Sequence, residues 1–229
     1  MFGIDTLELF RKGGIVMWPL LACSVLAVAI MIERTIVILL AGTNLDRLLS
    51  RLRPLIHAGK IVDAERIAAQ NRKPVGNVAR AYLEHWNSAS SIRNDVVERT
   101  GAQAVETLER RLNWLAMLAQ VTPLLGLLGT VLGLMSAFQA IDAKGSNVHA
   151  SDLATGIWAK LINTAFGMAI AIPCLIAYYW LEACVIRVTN RMGWIVSHLN
   201  EWRAQEKTEA VEEGEVIEEA SPPLKAVAS

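Results

Sequence analysis

Two threonines lie deep within apolar stretches, and the residues around them set what chemistry they could do. Thr130 stands in Thr122-Pro123-Leu124-Leu125-Gly126-Leu127-Leu128-Gly129-Thr130-Val131-Leu132-Gly133, and Thr164 follows Lys160, Leu161, Ile162 and Asn163. A hydroxyl both donates and accepts hydrogen bonds, but a helical threonine can satisfy it on its own helix's carbonyls. Thr130 by itself therefore says little. Thr164 has more telling company, because an amide, an ammonium group and a hydroxyl within about one turn are expensive in hydrocarbon. That cluster points to a bundle interior or a wet cavity. Asn163 and Lys160 are candidate modulators of such a polar path. Two readings of Lys160 stand open, an inward role and a long side chain snorkelling to the outer boundary.

Glycines accompany both threonines. Gly126, Gly129 and Gly133 are three and four apart and line one helix face, and Gly167 shares a face with Thr164 and Ala171. Small residues in this pattern let a second helix approach closely, so these four glycines are read as packing positions. No Gly-Lys-Ser/Thr follows them, which excludes a phosphate-binding loop. Glu33 and Arg34 close the first apolar stretch and are read as structural charges, with Glu182 of similar standing near the inner end of the third. Pro173 lacks a donor and is expected to bend its helix. The three cysteines, Cys23, Cys174 and Cys184, form no CxxC pair. His57, His85, His149 and His198 share no ligand spacing, so neither a metal site nor a cofactor is expected. With no complete nucleophile–base arrangement beside the apolar stretches, transport is favoured over enzymology.

The elements that must position these residues follow from hydropathy. Of the 229 residues, 53% are hydrophobic and 19% charged, and the net charge is +0. Charged residues are fewer than the roughly 25% typical of a soluble domain. They are also segregated from three apolar blocks at 14–40, 114–141 and 157–186. Each block exceeds the roughly 20 helical residues that cross a bilayer core, and backbone in lipid must satisfy itself internally. The fold class is therefore all-α integral membrane, with three transmembrane helices. The first block has Arg11 and Lys12 ahead of it, as a signal peptide would. Yet it is too long for a typical signal core and lacks a clear cleavage site, so it is read as a span.

Residues 42–112 carry twelve Lys/Arg against eight Asp/Glu, whereas the 142–152 connection holds only Lys144 as a base. The positive-inside rule places residues 42–112 and the C-terminus in the cytoplasm. Leu45, Leu48, Leu49, Leu52 and Leu55 recur near a helical period, as do Ile61, Ala64, Ile67 and Ala68, with Pro54 and Gly59 as punctuation. The region nonetheless looks poor as an independent domain. Only Gly101 interrupts the pattern between Ser91 and the second span, so one unbroken helix is expected there. The third span is also expected to project into the cytoplasm through Val188, Met192, Ile195, Val196 and Leu199. Seven glutamates between Glu206 and Glu219 then read as a solvated, disordered tail. Three spans enclose no pore alone, so oligomerisation is the natural inference.

The chain resembles the MotA/TolQ/ExbB proton-channel family, in its three-span ExbB/TolQ branch. The resemblance rests on Gly13-Gly14-Ile15-Val16-Met17-Trp18-Pro19-Leu20 leading to Ile32-Glu33-Arg34, then on Thr122 through Val131, and on Gly156-Ile157 through Leu161-Ile162-Asn163-Thr164-Ala165-Phe166-Gly167 to Ala171-Ile172-Pro173. It implies a homopentamer in the bacterial inner membrane around a central pore. That pore would hold two single-span ExbD/TolR-like partners, each with a titratable aspartate, and would energise a TonB- or TolA-like protein. Membrane lipids are expected partners and nucleic acid is not. Thr130 and Thr164 fall on the family's two pore threonines, where a hydroxyl can donate to a carboxylate and accept from a carboxylic acid. The implied layout is a periplasmic segment 1–13, first span 14–40, cytoplasmic helical region 41–113, second span 114–141 and short periplasmic loop 142–156. The third span 157–186, a cytoplasmic extension 187–205 and the acidic tail 206–229 complete it. One departure stands out, because the family commonly has a glutamate five residues before the third-span threonine and this chain has Ala159, flanked by Trp158 and Lys160. A lysine near the pore would disfavour cations and stabilise a deprotonated aspartate. The rival reading is a non-conducting membrane scaffold or assembly subunit built on the same bundle.

Overall fold

A computed structural model describes residues 14–144 and 150–220, without the side chains of 140, 141, 143, 144, 150–156, 159, 207 and 209–220. The expected segment 1–13, the turn at 145–149 and the end of the tail at 221–229 lie outside the described residues. Every regular element among those described is helical: α1 (Met17–Ala41), α2 (Leu45–His57), α3 (Ile61–Gln70), α4 (Pro74–Glu84), α5 (Ser90–Glu109), α6 (Leu112–Lys144) and α7 (Ala150–Ala220). Three stretches are long and apolar enough to cross a membrane, one each around α1, α6 and the first half of α7. The chain is thus a multi-pass membrane protein. It divides into two compact units, Met1–Leu40 with Leu108–Val185, and Ala41–Thr107 with Ile186–Ser229, and α7 contributes to both.

The first unit packs α1, α6 and the N-terminal half of α7. Its buried positions include Leu20, Ala27, Ile30, Leu115, Leu118, Cys174 and Leu181, while Leu127, Leu128, Val131, Leu132, Met135 and Phe138 of α6 stay exposed. A helix that is apolar on its outer faces as well suits lipid or a neighbouring protein.

The second unit is built from α2–α5 and the C-terminal half of α7. Asn44 caps α2, its Oδ1 accepting from the Arg47 N–H at 3.3 Å. The end of α2 differs from the expected punctuation, since Pro54 sits inside the helix and Gly59 makes the stop. Gly59 has φ +68, and its neighbour Lys60 donates back to the Leu55 carbonyl at 2.8 Å. Only glycine takes that left-handed turn without strain. Pro74 opens α4, where its missing N–H costs nothing. The core joins Leu48, Leu52 and Ile56 to Ala64, Ala68, Val75, Val78, Tyr82 and Trp86, and is closed by Met192, Ile195, Leu199 and Trp202 of α7. Residues 42–112 therefore do not form this core alone.

Two boundaries differ from the sequence-based reading. A two-residue turn at Arg110 and Arg111 separates α5 from α6, so the second span does not continue an unbroken helix. At the other end, backbone helix continues to Ala220 through the residues read as a disordered acidic tail. Glutamate and alanine are strong helix formers, and a helix already running needs no new nucleus.

Candidate functional site

The second and third spans meet through their glycines. A Cβ added at Gly126 would lie 2.7 Å from the Asn163 carbonyl oxygen and 3.0 Å from Thr164 Cα. One added at Gly167 would lie 2.6 Å from the Thr122 carbonyl oxygen and 3.3 Å from Gly126 Cα. The backbones of α6 and α7 are thus in direct contact, which is the geometry that small residues at helix crossings permit. Gly129 leaves room for the Asn163 side chain, whose Nδ2 would be 2.7 Å from an added Cβ, and Asn163 is fully buried there. Gly133 holds the aliphatic stem of Lys160, with Cδ only 2.2 Å from where a Cβ would sit. The Lys160 ammonium reaches to within 4.0 Å of the corresponding point on Gly14, ahead of α1. The stem thus lies along α6 and the head is directed toward the start of α1.

The hydroxyls near this contact are not equivalent. Thr122 is fully buried and donates to Leu118 O at 2.9 Å, and Thr130, also buried, donates to Leu127 O at 2.7 Å. Both use their own helix in the way open to any helical threonine. Thr164 does not. Its Oγ1 is buried and has no hydrogen-bond partner among the described residues, a condition that costs about 1–3 kcal/mol unless something else meets it. The neighbouring side chain of Ala159 is outside those described.

At the C-terminal end of α1, Glu33 accepts from Arg34 Nη2 at 3.0 Å and from Arg111, while Arg34 Nη1 donates to Leu108 O at 3.4 Å. Arg34 is 6% exposed. Arg111, which in the sequence is one more basic residue of 42–112, is thus a partner of the structural charge Glu33. Thr122 was quoted in a motif but not as a contact, although its place one and two turns before Gly126 and Thr130 puts it on their face. Among the described residues no cluster of His, Cys, Asp and Glu could hold a metal ion.

These features define a class: a multi-pass helical membrane protein whose second and third spans cross on glycines with amide and hydroxyl groups beside the crossing. Comparison with known proteins narrows it. The chain matches the MotA/TolQ/ExbB proton channel family over residues 70–193, more than half its length, and belongs to that family. It is 26% identical to Biopolymer transport protein exbB1 of Vibrio cholerae over 85% of this chain and 87% of that protein. It is 33% identical to a putative biopolymer transport protein, ExbB-like 1, of Synechocystis sp. over 75% of this chain and 68% of that one. Against the Tol-Pal system protein TolQ of Pseudomonas aeruginosa the identity is 30%, over 72% and 75% of the two chains. The family is one of channel proteins, and this chain is not an enzyme.

Proposed function

We propose that the chain is the multi-span subunit of an ion-driven motor in the bacterial inner membrane. It conducts protons together with an aspartate-bearing, single-span ExbD/TolR-like partner and energises a TonB- or TolA-like protein. In this reading five copies surround a pore that holds two partner spans, and the N-terminus is periplasmic and the C-terminus cytoplasmic. The observation that carries the proposal is the Thr164 hydroxyl, buried beside the glycine crossing and unmet among the described residues. A partner carboxyl group would give it a hydrogen bond in either protonation state, since the hydroxyl can donate to a carboxylate and accept from a carboxylic acid. Thr130 serves the same path from α6, where its bond to Leu127 O is readily exchanged for one to water or a carboxyl group. Asn163 holds the crossing in register, and Lys160 tunes the field at its outer end. Residues 14–40, 114–141 and 157–186 span the bilayer, and the second unit is the cytoplasmic part.

The test is the native mass of the complex extracted gently from membranes, with identification of what accompanies it. Five copies of this chain with two of a one-span, aspartate-bearing protein are expected. A monomer or dimer without such a partner in several mild detergents contradicts the shared pore and leaves the non-conducting scaffold.

A further inference from the structure

A cleft of about 440 Å3 opens in the second unit, lined by Thr43, Asn44, Arg47, Arg51, Asn71 and Lys73 among others. Three cationic side chains line it and no carboxylate does. Among the described residues, none of Arg47, Arg51 and Lys73 stands in an ion pair. Lys73 donates to the carbonyl of Gly42, and Asn44 commits its Oδ1 to the α2 cap, which leaves its NH2 group as a donor. Thr43 supplies a second and independent sign of a ligand. It is 5% exposed, its carbonyl accepts from Arg191, and its hydroxyl is buried with no partner among the described residues. Buried hydroxyls are almost always met, and one in the wall of a cationic cleft is suited to donate to an anion. Two guanidinium groups on successive turns of α2 add the forked donors that match phosphate oxygens.

The position along the chain selects the kind of phosphate. Thr43 comes two residues after α1 ends at Ala41, and the exposed Leu39 and Leu40 of α1 precede it by four and three residues. The cleft therefore belongs to the headgroup layer where the first span leaves the bilayer, and basic pockets at that level hold acidic lipid headgroups. We infer that this cleft binds the phosphodiester headgroup of an anionic phospholipid, with the Thr43 hydroxyl and the Arg47 and Arg51 guanidinium groups as donors.

The experiment uses the full chain in its native assembly, placed in phosphatidylcholine nanodiscs with or without phosphatidylglycerol, and counts retained lipid by native mass spectrometry. Wild type and Arg53→Gln, an exposed arginine of α2 outside the cleft, are expected to retain phosphatidylglycerol over phosphatidylcholine. At about fivefold per charge, Arg47→Gln with Arg51→Gln should weaken that retention by about twenty-five-fold. Thr43→Val should weaken it severalfold with an unchanged circular dichroism spectrum. If the double variant does not fold, Thr43→Val and Arg47→Gln alone carry the same test. Equal retention of the two lipids, or phosphatidylglycerol retention unchanged in the cleft variants, overturns the inference. So does binding of inorganic phosphate at the cleft without any lipid preference, which would make the ligand a soluble anion.

Discussion

Replacing Gly167 with alanine should destabilise the membrane unit, and the structure gives both sign and size. The new Cβ would stand 2.6 Å from the Thr122 carbonyl oxygen and 3.3 Å from Gly126 Cα, whereas ordinary contact begins at 3.4 Å. Both obstacles are backbone, so no rotamer change relieves them, and α6 and α7 must part by roughly 0.8 Å at the crossing. Overpacking of this kind costs about 1–3 kcal/mol, against about 1 kcal/mol gained from alanine's better helix propensity. A net loss of up to about 2 kcal/mol is expected. Gly101→Ala is the matched control, because nothing lies within 4 Å of its Cβ position and the same propensity gain should appear uncancelled. Gly133→Ala should fall between them, since the obstacle there is the flexible stem of Lys160. Thermal unfolding of each variant in one detergent, followed by circular dichroism, reads the order directly. A Gly167→Ala protein stabilised as much as Gly101→Ala would refute the backbone crossing.

Other perturbations follow from the same geometry. Thr164→Val removes a buried hydroxyl that has no partner among the described residues, so the protein without its partner subunit should be unchanged or about 1 kcal/mol more stable by denaturant titration while partner-dependent work is lost. Glu33→Ala takes the carboxylate from Arg34, whose side chain is 8% exposed, and should lower the unfolding midpoint clearly. Arg111→Ala removes the half-exposed partner and should cost less than about 1 kcal/mol, so the two unfolding midpoints separate the roles. Tyr82→Phe loses a 2.7 Å hydrogen bond to Asn200 and should cost about 1 kcal/mol at neutral pH. Burial pushes the Tyr82 phenol above its usual range, with Arg93 and Arg203 opposing. Its contribution is thus complete below pH 10 and lost as pH rises through the folded value, so wild type should show an alkaline loss of stability that Tyr82→Phe lacks.

What was legible in the chain was what repeats locally. The glycines at 126, 129 and 133 could be placed on one face because helical spacing is enough to do so, and the three apolar blocks needed only length and composition. Long-range pairs left no such trace. Arg111 meets Glu33, and Tyr82 meets Asn200 across 118 residues, through packing that no local pattern encodes. The turn at Arg110 and Arg111 has neither glycine nor proline to mark it. The unmet hydroxyl of Thr164 was equally invisible, because only the placement of neighbouring carbonyls distinguishes it from Thr130. Helix at 206–220 was missed for another reason, since acidic composition was weighed above the helix propensity of alanine and glutamate.

The most direct test of the proposed function is proton flux into liposomes holding this chain with its aspartate-bearing single-span partner, compared with the same assembly carrying Thr164→Ala. Native mass on both samples shows whether the assemblies match. Flux in the wild type and its loss in an intact variant assembly is the expected result. Equal flux in the two, or none from an intact wild-type assembly under an imposed gradient, would contradict a proton path through Thr164.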